Sequence, residues 1–149
     1  MHFLEVEPID GLYQIKREIR LNYIDNFSIE KINELKSKLF FKGKYTGTNV
    51  SGIALIKQLQ ILDKYYLIIT DSDCPYEEVT NITLIDNNFK ALSRRWIGFP
   101  CNSWFVTKVE FIDSKNMNLF FCETIIRITI RNFSIPYLMP KIKMTRIKN

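Results

Sequence analysis

Hydrophobic and polar residues in this chain mostly alternate, and only one stretch recurs at helical spacing. Tyr13, Ile15, Arg17, Ile19, Leu21 and Tyr23 fall on one side of a period-2 pattern, with Gln14, Lys16, Glu18, Arg20 and Asn22 opposite. That predicts a long, half-buried strand. At Ser28 the period changes: Ile29, Ile32, Leu35 and Leu39 recur at helical spacing, Glu30 sits in the first turn, and Lys36, Lys38 and Lys42 crowd the last. Ser28 is placed to accept orphan N–H groups at the start, and Gly43 to supply the left-handed residue at the end. The pattern therefore predicts one amphipathic helix near residues 28–41.

Strand patterning returns after Ser51. Ile53, Leu55, Leu59 and Ile61 are two apart except where Lys57 interrupts the face. Ala54, Gln58 and Leu62 also fit a four-residue step, so a helix competes there, and strand is the preferred reading. Tyr65-Tyr66-Leu67-Ile68-Ile69 is apolar on both faces, the mark of a central strand. Val79 to Ile85 and Phe89 to Trp96 flank Asp86-Asn87-Asn88, a hairpin signal. Trp104 to Ile112 and Met117 to Phe121 flank Asp113-Ser114-Lys115-Asn116 in the same way, and Ile126, Ile128 and Ile130 then alternate with Arg127, Thr129 and Arg131. Short polar turns without helical crossovers favour antiparallel connections. The expected fold is mainly β (α+β): an antiparallel meander forming a sheet, sandwich or barrel, with the one helix packed on it, as a single domain over residues 1–149.

Composition agrees with one packed domain: 46% of the 149 residues are hydrophobic, 13% aromatic and 25% charged. No segment approaches the roughly 18 consecutive apolar residues of a membrane span, and Met1 to Glu7 lacks the pattern of a secretory signal. The expectation is a cytoplasmic protein without membrane contact. Cys74, Cys101 and Cys122 are odd in number and never form a C-x-x-C pair, so they read as free thiols.

The candidate chemistry is sparse. His2 is the only histidine, which removes Ser-His and Cys-His nucleophile pairs and His-ligated zinc. No phosphate-cradling glycine loop, nucleophile elbow or zinc spacing occurs. The expectation is a binding protein with no catalytic residues, metal or cofactor.

Charge is uneven. Residues 1 to 123 hold fifteen basic and sixteen acidic side chains, and the last 26 add six basic and no acidic ones. Pro140 to Lys148 alternates apolar and basic residues, which suits a solvated edge strand whose lysines discourage edge-to-edge association. Arg94, Arg95, Lys141, Lys143 and Arg146 are the candidate anion-binding residues, which makes a nucleic-acid-binding β domain using the basic C-terminal strand the alternative function. The adjacent Arg94 and Arg95 must point to opposite faces of a strand, so at most one joins any single anion site. An opposite patch, Thr70 to Glu78, gathers four carboxylates in eight residues. Asp71, Asp73, Glu77 and Glu78 are the candidate partner-binding acids there, with Tyr76 as their aromatic anchor.

Residues 50–130 carry one resemblance. A bulky strand Tyr65-Tyr66-Leu67-Ile68-Ile69 leads into Asp71-Ser72-Asp73-Cys74-Pro75-Tyr76-Glu77-Glu78 and then Ile82-Thr83-Leu84-Ile85-Asp86-Asn87-Asn88-Phe89. In this style the chain resembles the immunity proteins of bacterial contact-dependent and polymorphic toxin systems. The resemblance implies a protein that binds one cognate toxin domain and blocks its active site or its access to substrate.

Overall fold

The computed structural model describes residues 6–9, 12–15, 21–73, 78–98, 106–121, 124–132 and 140–147, with the backbone alone at Asp73 and Glu78 and before Tyr23. These residues form fourteen strands: β1 (Val6–Ile9), β2 (Leu12–Ile15), β3 (Leu21–Tyr23), β4 (Phe27–Lys31), β5 (Lys36–Phe41), β6 (Lys44–Ser51), β7 (Ala54–Ile61), β8 (Tyr65–Asp73), β9 (Glu78–Asp86), β10 (Ala91–Ile97), β11 (Lys108–Phe111), β12 (Asn116–Phe120), β13 (Ile125–Ile130) and β14 (Ile142–Ile147). Every pairing is antiparallel. Strand order is β10-β9-β8-β7-β3 in a central sheet, β11-β12-β13-β14 in a second, β4-β5-β6 in a third, with β1–β2 as a hairpin.

The central sheet is covered on both faces. Leu59, Ile61, Leu67, Ile69, Ile82 and Leu84 pack against Met117, Leu119, Ile126, Ile128, Ile130 and Ile142 of the β11–β14 sheet. The alternate residues Ile68 and Ile85, with Tyr66 and Leu55, pack against Phe27, Leu39 and Val50 of the β4–β6 sheet. A strand buried on both sides needs apolar residues at successive positions. This accounts for Leu67-Ile68-Ile69, all fully buried in β8. The architecture is thus an antiparallel sandwich of three layers, and its two cores share the central sheet.

The predicted helix near residues 28–41 is not present; β4 and β5 form a hairpin there. Ile29 and Leu39 share one side because they are register partners across the hairpin, while Ile32 and Leu35 stand exposed in the turn. Asn33 decides the turn locally: its Oδ1 accepts the N–H groups of Leu35 (2.8 Å) and Lys36 (3.1 Å), an Asx turn that competes with helical bonding. The strands then bury Phe27, Ser37 and Leu39 in strict alternation with exposed Lys36 and Lys38. Gly43 does adopt the left-handed conformation (φ 82°), but beside Lys42 (φ 51°) in the β5–β6 hairpin turn. Two successive positive φ values suit the right-handed twist of the flanking strands.

The competing readings of residues 51–62 resolve as strand β7, with a bulge between Leu55 and Lys57. The other predicted hairpins repeat the Asn33 device. Asp86 Oδ1 accepts the N–H groups of Asn88 and Lys90, and Asp113 Oδ1 those of Lys115 and Asn116. The predicted strand from Tyr13 to Tyr23 is described only as β2 and β3 at its two ends; residues 16–20 lie outside the described residues.

Candidate partner-binding surfaces

Hydrogen bonds and register bring several distant segments to one end of the sandwich. Gly52 N–H donates to the Leu35 carbonyl at 2.8 Å, and Ile53 N–H to the Asp71 carbonyl at 2.9 Å. In the central sheet, Trp96 stands opposite Asn81, and Asn81 opposite Thr70. The β4–β5 turn, the start of β7, the end of β8 and the end of β10 therefore meet at this end. It carries the two most exposed large apolar side chains among the described residues, Leu35 at 76% and Trp96 at 64% exposure. Side chains of this size in water mark a contact surface when they lie together.

Gly52 is required by that junction. Its φ is 96°, and an added Cβ would lie 2.8 Å from Thr70 Oγ1 and 2.9 Å from the Asp71 carbonyl oxygen. The Thr70 hydroxyl donates to the Ser51 carbonyl, further fixing β6 to β8.

The acidic patch ends the β8–β9 hairpin. Asp73 and Glu78 are register partners, and Asp71 stands opposite Thr80. Asp71 is half-buried, and one of its carboxylate oxygens is closed to solvent. Ser72 faces the other side and accepts the Asn81 amide at 3.1 Å. Tyr76 and Glu77 lie outside the described residues, as do Cys74, Cys101 and Cys122.

Arg94 and Arg95 point to opposite faces. Arg95 Nη1 donates to the Ile142 carbonyl at 2.8 Å and ties β14 to the central sheet. Arg94, on the β4–β6 side, lines an open cleft of about 250 Å³ with Lys36, Asn49, Val50 and Ser51. Partial burial lowers the Arg94 pKa from its usual value. No carboxylate pairs with it among the described residues.

The C-terminal cations are dispersed. The Lys141 ammonium donates to the Arg131 carbonyl at 3.0 Å and lies 5.0 Å from the Tyr65 ring centroid. Arg146 donates to the Thr124 hydroxyl at 3.3 Å. Lys143 is exposed on β14, the edge strand of its sheet. Sequence reasoning placed Lys36 and Lys38 at a helix end and so missed both the cleft at Lys36 and the exposure of Leu35; the alternation of Lys36-Ser37-Lys38-Leu39 was the available signal.

No group of three or more His, Cys, Asp or Glu suited to a metal occurs among the described residues. No helix among them is long and apolar enough to cross a membrane. Compared with known proteins, the chain matches no family model, no curated protein and no solved structure.

Proposed function

We propose that this chain is a non-enzymatic immunity protein, which binds a cognate toxin domain in the cytoplasm of the producing cell and blocks its active site or substrate access. The observation that carries this reading is that Leu35 and Trp96, the most exposed large apolar side chains among the described residues, stand at the same end of the sandwich, which also holds Asp71, Asp73 and Glu78. A few aromatic and aliphatic anchors surrounded by charge dominate the affinity of preformed protein interfaces. Antiparallel sheets locked into three layers supply the rigidity that keeps the ordering cost of such an interface low.

The reading expects a large secreted toxin in the neighbouring reading frame, and the test is co-expression with the C-terminal domain of that toxin. Relief of that domain's toxicity and co-purification of the pair through gel filtration are the expected results. Undiminished toxicity with both proteins folded and present in excess defeats the reading.

A further inference from the structure

We propose that the outer face of the β4–β6 sheet, together with Arg94, binds single-stranded nucleic acid. This surface differs from the C-terminal strand and uses neither Leu35 nor Trp96, so it stands independently of the toxin-binding reading.

Charge is the first argument. Residues 27–51 hold five lysines and two glutamates. Lys31 pairs with Glu34 at 2.7 Å, and Glu30 stands opposite Lys38 in register. Lys36, Lys42 and Lys44 are exposed and have no carboxylate partner among the described residues, and Arg94 adds a fourth such cation from the neighbouring sheet. An uncompensated basic face attracts a polyanion whatever its sequence.

Geometry is the second. The cleft shared by Lys36 and Arg94 also presents Asn49 and Ser51, two cations and two neutral polar groups around a space that admits a phosphodiester. Asn49 Oδ1 accepts the Tyr45 hydroxyl at 2.8 Å, so the cleft leads directly to an exposed aromatic ring. Phe40 lies 5.6 Å from Tyr45 between centroids, and the Lys38 ammonium 5.5 Å from the same ring. Lys36 and Lys38 share the outward face of β5, two residues and so about 6.8 Å apart, a spacing comparable with successive phosphates of an extended strand. Cations interleaved with an exposed ring are what an unpaired strand uses, since its bases are free to stack. The bases of a duplex are already stacked on one another.

The experiment is fluorescence anisotropy with a labelled oligothymidylate of about eight nucleotides, over a salt series. The expected result is binding at low salt that weakens as salt rises. The double variant Lys36→Gln/Arg94→Gln weakens it tenfold or more and lowers the slope of log affinity against log salt by about 1.4, at about 0.7 per lost phosphate contact. Tyr45→Ala also weakens binding, whereas Tyr45→Phe, which keeps the ring, retains it. Circular dichroism verifies that each variant is folded. Absence of binding at low salt overturns the proposal. So does binding unchanged by the double variant, or binding to a duplex or to heparin as tight as to the single strand.

Discussion

The side-chain amide of Gln58 closes two hydrogen bonds with the backbone of Phe27: its Oε1 accepts the Phe27 N–H at 2.7 Å, and its Nε2 donates to the Phe27 carbonyl at 3.1 Å. Gln58 thus acts toward β4 as a peptide group on a paired strand would, and joins the third layer to the central sheet beside the core of Phe27, Leu39 and Ile68. Gln58→Leu leaves both backbone groups without partners in a half-buried site. At roughly 1 kcal/mol for each lost bond, plus the cost of unsatisfied groups, a loss of about 2–3 kcal/mol is expected. Urea unfolding measures it, and a loss below about 0.5 kcal/mol would show that the layer is held by apolar packing alone.

Gly52→Ala forces a Cβ into the Thr70 hydroxyl and the Asp71 carbonyl at a φ of 96°. Steric overlap and backbone strain add, so the expected loss is about 2–4 kcal/mol. The added change Thr70→Ala removes the hydroxyl contact and leaves in place the φ, the carbonyl contact and the Thr70 Cβ at 3.0 Å. It is therefore expected to restore little, and full recovery of the thermal midpoint in Gly52→Ala/Thr70→Ala would refute this account of the glycine.

Two adjacent arginines should have separate consequences. Arg95→Ala removes the bond to the Ile142 carbonyl and is expected to cost about 1–2 kcal/mol, since hydrogen bonds from charged donors exceed neutral ones. Faster amide hydrogen exchange in β14 should accompany it. Arg94→Ala, whose guanidinium lines an open cleft, should leave β14 exchange unchanged. Equal effects of the two substitutions would mean that their assignment to opposite faces is wrong.

Much of this architecture was legible along the chain, because strand periodicity is local information. The doubly apolar run Tyr65–Ile69 marked the central strand, and Asp86 and Asp113 marked their hairpins. The β4–β5 hairpin was harder to read. Ile29 and Leu39 lie on one face both in a helix and across a hairpin whose turn holds Ile32 and Leu35, so only the Asn33 turn and the short Lys36-Ser37-Lys38-Leu39 alternation separate the two folds. The separation of Arg94 from Arg95 follows from strand alternation alone. The cleft joining Arg94 to Lys36 crosses two sheets, and only tertiary packing creates it.

Asp113 gives the fold a specific pH response. Partial burial on its own raises the Asp113 pKa, but hydrogen bonds from the Lys115 and Asn116 backbone and the Asn116 side chain, with the nearby Arg127, outweigh it and hold the carboxyl below its usual value. A depressed folded-state pKa contributes stability that is complete above the unfolded-state value near about 3.9 and is lost as pH falls through the lower folded value. Asp113→Asn should therefore be less stable than the parent at neutral pH, with the difference shrinking below about pH 4. Chemical denaturation at several pH values checks this, and a difference that stays constant into the acid range would contradict it.

The claim on which the account most depends is that Leu35 and Trp96 form the contact surface for a partner domain. Its most direct measurement is the Kd, by isothermal titration calorimetry, of the purified chain and of Leu35→Asp/Trp96→Ala for the C-terminal domain of the toxin expected from the neighbouring reading frame. The account predicts tight binding by the parent and a loss of a hundredfold or more in the double variant, about 2.7 kcal/mol or more, with the fold intact by circular dichroism. An unchanged Kd in the folded double variant would contradict it.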